Sequence, residues 1–543
     1  MYHKNTVPPL DIPVEPLGDY NSLPELLIEK ANHFSNIGKT YYMIDAITRE
    51  VRLFSKFDEE TKRIASAFYK IGLRKGDMVI YMPGELIKLH IFLAGVWRAN
   101  GVCRASYSDD DAATLRYRLE EGECKFILCD HSGIETCKEA ITGISWPVEI
   151  IVMDKHEELK SLQQFIEEDD GLSCPVLNVG KEDPALILCT SGTTGPSKGA
   201  VHTHGGLIQQ IHLLSLFPFT ETAPNLVFSK ATHISGSTFP LSFLVSGKTV
   251  IVTGKVTKEL VLKTVHELKP KFAFAFPTFL LALVSPEAKN FDCNSVEIIW
   301  TGGTTITPAI KDALFQLPSL KDFINAYGLT ENMSATTSAI LSSASELERS
   351  GPKSIRDLPD FSTGTIYPYY HMQVRDIETM EVLGPNKSGE ICLKGPAMFK
   401  EYYKNPDATK AAFIDGFFRT GDIGYYDEHG YIYISDRLKE IFKHRTMNHI
   451  SPSEIEDVIG KHPNVNEVCV VGIPDPEGGG HTPRAFITVK GDPSQTIAEE
   501  IKKFANDKLP DYKHLCGGVY IVPELPKGKT GKVTRRLVAE LQP

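Results

Sequence analysis

Eight short apolar runs constrain the fold of this chain more than any other feature. "MVIYMP" (78–83), "KFILCD" (125–130), "VEIIVMD" (148–154) and "ALILCT" (185–190) read as buried strands. So do "NLVFSK" (225–230), "KTVIVT" (248–253), "KFAFAFP" (271–277) and "VEIIWTGG" (296–303). Amphipathic stretches such as "DEETKRIASAFYKIGL" lie between them. Strands alternating with helices predict an α/β architecture with mostly parallel sheets flanked by helices. Past residue 360 the character shifts. "GEICLKG" and "GYIYISDRLKE" are strand-like, with glycine turns and no helix between them, which predicts a β-rich segment.

After "ISDRLKE" the pattern changes again. "PSEIEDVIGKH" is a helix opened by Pro452 and Ser453, and "VNEVCVVGIPD", "RAFITVK" and "GGVYIVPELP" are three strands with the helix "TIAEEIKKFANDKL" among them. The expected division is therefore a large N-terminal domain, 1–436, and a small α+β C-terminal domain, 437–543. Such a length suits more than one domain.

The formal charge of -11 argues against binding the phosphate backbone of nucleic acid through the whole surface. The ten cysteines never form C-x-x-C, and scattered half-buried thiols point to reduced, cytoplasmic usage. The first twenty residues are proline-rich with no apolar core of a signal peptide. No window reaches the ~20 apolar residues of a membrane span. The chain ends in "AELQP", not in an S-K-L peroxisomal address. A cytoplasmic location is expected.

One stretch carries chemistry on its face. "LCTSGTTGPSKGAVHTHGG" (188–206) follows the strand "ALILCT" and precedes the helical run "GGLIQQIHLLSLF". Glycines there let backbone N–H groups approach an anion, as in a phosphate-binding nest. Thr190, Ser191, Thr193 and Thr194 add hydroxyl donors around Gly192 and Gly195, and Lys198 supplies a point charge. The alternative is a flexible polar surface loop. Neither the Walker spacing nor G-x-G-x-x-G fits.

The order T-S-G-T-T-G-x-x-K-G resembles the phosphate loop of adenylate-forming enzymes: acyl- and aryl-CoA synthetases, 4-coumarate–CoA ligase and beetle luciferase. Further motifs support the resemblance in the expected order, over roughly residues 30 to 540. "NAYGLTENMSA" (325–335) is similar to the family's Y-G-x-T-E, which assigns Tyr327 to the adenine, Thr330 to phosphate and Glu331 to Mg²⁺, with Asn325 and Gly328 in the same nucleotide-binding stretch. "FFRTGDIGYYDEHGYIYISDRLKE" (417–440) resembles T-G-D followed by D-R-x-K-E. It assigns Asp422 to the ribose diol, Arg437 beside it, and Lys439 to the nucleotide side and the hinge. "PKGKTGKVTRR" (526–536) places Lys532 in the catalytic role of the first step. "ATHISG" puts His233 beside the carboxylate, although a lone histidine is more often a satisfied core residue. "TGGTTITP" supplies Gly303 and Thr304 to the adenine and acyl wall, where the family usually reads G-G-A-P.

The resemblance implies ATP-dependent activation of a carboxylic acid to an acyl-adenylate, then thioester formation with CoA. It implies ATP, Mg²⁺ and CoA as small-molecule partners, and a C-terminal domain that rotates between the two steps. One departure stands out. After "DRLKEIFK" the family reads K-x-x-G-x-x-[VI]-[SA]-P, whereas this chain reads "KHRTMNHISP" (443–452), one residue longer and without the glycine. Lys443 is retained, and His444, Arg445 and His449 add donors that could meet CoA phosphates. Three readings follow: an acid–CoA ligase, a luciferase-type oxygenase, and an idle nucleotide-binding homologue. Lys198, Glu331, Asp422, Arg437 and Lys532 together argue against the last. The small, hydroxylic and aromatic acyl wall suits a medium-chain or aryl acid.

Overall fold

The computed structural model describes every residue except 1–17, 191–196, 216, 218, 304–305, 307, 333–335, 338–358, 368, 445–448, 476–479, 492, 529–532 and 543. All eight apolar runs form strands, and they divide between two large sheets. In the first sheet, Pro184–Cys189, Val102–Ala105, Met78–Tyr81, Phe126–Cys129 and Glu149–Val152 are parallel neighbours in that order. Their side chains are covered on both faces: Phe126–Cys129 is buried at every residue. Parallel strands with helices on both sides need such unbroken apolar runs. In the second sheet, Asp322–Tyr327, Ile298–Gly302, Phe272–Phe274, Asn225–Phe228, Val250–Thr253 and Tyr41–Asp45 are parallel neighbours in that order, with antiparallel strands beyond both ends.

Helices fill the space between the sheets. Ile234–Val245 is buried along its whole length and has no polar face, so it belongs inside the protein. Pro240 lies within it and lacks the N–H that would bond the carbonyl of Gly236. His90 replaces that donor, its Nε2 lying 3.0 Å from the Gly236 oxygen. Phe54–Lys70 packs on Leu89–Arg98 at close range, because a Cβ on Gly95 would collide with Ile64.

The β-rich segment is a third, antiparallel sheet in which His371–Arg375, Gly389–Lys394 and Phe417–Tyr426 are neighbours and Ile432–Arg437 pairs with Phe417–Tyr426. One short helix, Pro406–Ala411, does interrupt this region, capped by Asn405 with proline in its first turn. Beyond Arg437, Val465–Pro474, His481–Val489 and Val519–Ile521 form a three-stranded sheet. Helices Pro452–Ile459 and Gln495–Asn506 share one apolar core with it, and Val538 of Arg535–Ala539 sits in a second core with Cys469 and Phe486.

Two sequence expectations need correction. The glycine-rich stretch does not run straight into a helix. A strand, Gly199–Thr203, comes first and pairs antiparallel with Pro184–Cys189, so the loop links a hairpin. The thiols are not half-buried either: eight of the ten free cysteines are fully buried, Cys174 is partly exposed and Cys516 is exposed. Among the described residues no helix is long and apolar enough to cross a membrane.

Candidate functional site

Residues carried by three sheets meet at one place. The first contributes the hairpin that carries Lys198. Thr190 N donates to Lys198 O at 2.9 Å, and Lys198 N to Thr190 Oγ1 at 3.3 Å, which closes the base of the glycine-rich loop. The lysine side chain is exposed, with its ammonium 4.6 Å from the centroid of the Tyr402 ring. Tyr402 arrives on the edge strand Glu401–Tyr402, which pairs with Gly199–Thr203.

The second sheet contributes the turn after Asp322–Tyr327. Glu331 is buried, and its Oε1 accepts from the Tyr402 hydroxyl at 2.8 Å. Its backbone carbonyl accepts from Phe399 N at 2.7 Å. Burial raises the Glu331 carboxyl above the usual carboxylate range, while the Tyr402 hydrogen bond and the Arg437 charge act the other way. His202 on the Lys198 hairpin reaches the neighbouring Thr330 carbonyl, with Nε2 at 2.9 Å. Burial depresses the His202 imidazole to about 4, so it is neutral and donates from Nε2 at physiological pH.

The third sheet contributes Asp422 and Arg437, which face each other across the Phe417–Tyr426 and Ile432–Arg437 pair. Arg437 Nε lies 2.7 Å from Asp422 Oδ1, and the Tyr327 hydroxyl donates to Asp422 Oδ2 at 2.5 Å. Burial and then the Asp422 charge push the Tyr327 phenol well above its ordinary range. Gly421 precedes Asp422 at φ +69°, a left-handed conformation that suits glycine, and its carbonyl accepts from Leu438 N at 2.8 Å. Lys439 follows. Burial lowers its ammonium, and the charges of Arg437 and, more weakly, Lys198 lower it further.

Lys198, Glu331, Asp422, Arg437, Lys439 and Tyr327 therefore form one electrostatic group. Other expected residues make contacts of their own. His233 caps helix Ile234–Val245, with Nδ1 2.7 Å from Ser235 Oγ and its ring edge-on to Phe276 at 5.9 Å. Asn325 donates through Nδ2 to Ser362 O at 3.0 Å. Lys443 pairs with Glu378 at 3.4 Å on the surface. Gly303 has φ +79° and directly follows the strand Ile298–Gly302, and Gly328 lies in the turn before Thr330. Ser191, Gly192, Thr193, Thr194, Gly195, Thr304, Arg445 and Lys532 lie outside the described residues.

Tyr402 and His202 were not found from sequence. Tyr402 is separated by 71 residues from Glu331, and no spacing rule connects an edge-strand tyrosine to a carboxylate in another sheet. Among the described residues no cluster of three His, Cys, Asp or Glu side chains could hold a metal. A single carboxylate still suits Mg²⁺, which keeps waters and takes most of its oxygens from phosphates.

Comparison with known proteins gives the family. The profile of the AMP-binding enzyme family matches residues 45–403, and that of the AMP-binding enzyme C-terminal domain matches residues 454–532. Luciferin 4-monooxygenase of Photuris pensylvanica is 29% identical over 97% of this chain and 96% of its own length. Probable 4-coumarate–CoA ligase 2 of Dictyostelium discoideum is 27% identical over 100% of this chain and 98% of its own. The crystal structure of ATP-bound MatB from Rhodopseudomonas palustris shares the fold with a TM-score of 0.81 and 23% identity, over 94% of this chain and 98% of that one.

Proposed function

The chain belongs to the AMP-binding enzyme family, and from that membership we propose that it is an AMP-forming acid–CoA ligase. A carboxylate oxygen of the substrate attacks the α-phosphorus of ATP. The bond to the β-phosphate breaks, and pyrophosphate leaves. The CoA sulfur then attacks the carbonyl carbon of the acyl-adenylate, and AMP leaves. The observation that carries the reading is the convergence of three motif stretches, far apart in sequence, on one electrostatic group.

Both first-step reactants are anions, so fixed cations must offset their repulsion. Lys198 and Lys532 are assigned that work, Lys532 as the first-step residue of the C-terminal unit. Asp422 takes the two ribose hydroxyls, and its bonds to Arg437 and Tyr327 hold the carboxylate in place. The Tyr327 ring lies along the adenine beside Gly303 and Thr304. Glu331 would hold Mg²⁺ with its carboxylate, which Tyr402 orients. When bound, that ion neutralises phosphate charge. Thr330 reaches phosphate, and His233 stands beside the acid. Residues 437–543 turn as a unit about Lys439 between the steps, and Lys443 serves the thiol half. The proposed acids are medium-chain or aryl, since the wall around His233 and Phe276 is aromatic and hydroxylic.

A luciferase-like second step is the alternative, favoured by the Photuris relative and by the altered 443–452 loop. The two are separated by giving the enzyme ATP, Mg²⁺, CoA and a panel of acids and then assaying products. Acyl-CoA is expected. Oxygen consumption or light, with adenylate formed but no acyl-CoA from any acid, would overturn the ligase reading.

A further inference from the structure

A buried arginine lies under the stem of the Lys198 hairpin. Arg118, on helix Ala112–Gly122, is 4% exposed and pairs with Asp110, which is 5% exposed. Its NH1 nitrogen donates to Asp110 and also to Ser106 Oγ at 2.6 Å. Its NH2 nitrogen reaches out of this network and donates to Ser197 Oγ at 3.3 Å. Asp110 is fixed in turn by Ser106 Oγ at 2.8 Å and Tyr107 N at 2.7 Å.

Topology explains why these groups meet. Val102–Ala105 and Pro184–Cys189 are parallel neighbours, so the loop after Ala105 and the loop after Cys189 leave the sheet at the same edge. Arg118 spans both. Ser197 directly precedes Lys198, and the following residue is held as well, because Gly199 O accepts from Tyr403 N at 2.8 Å.

A buried ion pair is weak evidence of a stabilising role, since its desolvation cost often cancels its attraction. What a guanidinium adds is a planar fork that fixes two partners in a set geometry. We propose that Arg118 is a positioning residue for adenylate formation: through Ser197 it fixes the backbone from which Lys198 projects. The Lys198 ammonium sits on a flexible stem, so the placement of its Cα limits where the charge can stand. This inference rests on the reading of Lys198 as the phosphate-binding cation of an adenylating enzyme.

The test uses the full chain as wild type, Arg118→Lys, Ser197→Ala and the double variant. Lysine keeps a charge beside Asp110 but cannot span both partners. Three quantities are measured for each protein: acid-dependent ATP–pyrophosphate exchange, the equilibrium affinity for ATP, and the melting temperature. Each single variant is expected to slow exchange about tenfold, the scale of a small misplacement of one catalytic group. The double variant should be no slower than the slower single, because both changes cut the same link. Ser197→Ala should melt with the wild type. Wild-type exchange in Ser197→Ala, losses that multiply in the double variant, or rates that fall only in step with melting would overturn the inference. If the wild type binds ATP but no acid supports exchange, the adenylation reading fails instead. ATP affinity then decides the Arg118 proposal: weaker binding in both singles supports it, and unchanged binding overturns it.

Discussion

The Tyr402 hydroxyl donates a hydrogen bond of 2.8 Å to Glu331, and the face of the same ring carries the Lys198 ammonium at 4.6 Å. One side chain therefore links the proposed metal ligand to the proposed phosphate-binding cation. Glu331 is buried, so its carboxyl is raised, and the Tyr402 bond is the foremost influence lowering it. Only the ionised carboxylate can hold a cation. Tyr402→Phe is expected to move the acidic limb of kcat/KM for ATP to higher pH and to lower the plateau about tenfold, the worth of one hydrogen bond to a charged group. A pH profile at fixed Mg²⁺ checks this. An unmoved limb would separate Glu331 from metal binding.

Asp422 meets Arg437 on one oxygen and Tyr327 on the other. Asp422→Asn keeps the shape but removes the charge and turns one acceptor into a donor aimed at Arg437 or Tyr327. We expect kcat/KM for ATP to fall by about 10–100-fold, as for losing a charge-assisted hydrogen bond. Steady-state kinetics with ATP varied gives the number. A loss confined to the acid substrate would place Asp422 elsewhere than at the ribose.

Burial depresses His90, His202 and His204 to about 4, while an unfolded chain holds such groups near 6.5. Between these values the unfolded state binds more protons, so acid favours unfolding. Stability is complete above about pH 7 and is lost as pH falls through 6.5 toward 4, with on the order of 3 kcal/mol per histidine as the upper bound. Melting temperatures across that range should drop steeply below pH 6.5. A flat profile down to pH 4.5 would show that these rings are not held neutral.

Lys532 is assigned to the first half-reaction by its motif alone. Lys532→Ala is expected to slow adenylate formation by ~10²–10³, the scale of one preorganised donor. Reaction of supplied acyl-adenylate with CoA should change far less. Pre-steady-state measurement of both halves distinguishes the cases, and equal losses would contradict a rotating C-terminal unit.

The strands were legible because both faces of the parallel sheets are covered, which leaves unbroken runs such as "FILC" and "ALILC". The strand Gly199–Thr203 was hidden. Its five residues begin inside the glycine-rich stretch and include His202 and Thr203, so no apolar run marks it. The motif residues of the site could be named because each sits in a long local pattern. Tyr402 and Arg118 could not, since each acts across sheets or loops that only folding brings together. Their neighbours in sequence, "KEYYKN" and "RYRLEE", read as ordinary polar surface.

The central claim is that this chain joins a carboxylic acid to AMP. ATP–pyrophosphate exchange, measured with Mg²⁺ across a panel of medium-chain and aryl acids, tests it most directly. The account predicts exchange that requires one of these acids and falls at least about tenfold in Lys198→Ala, a variant that loses a fixed cation at the phosphates. Exchange supported by no acid, or exchange that is independent of acid and untouched by Lys198→Ala, would contradict it.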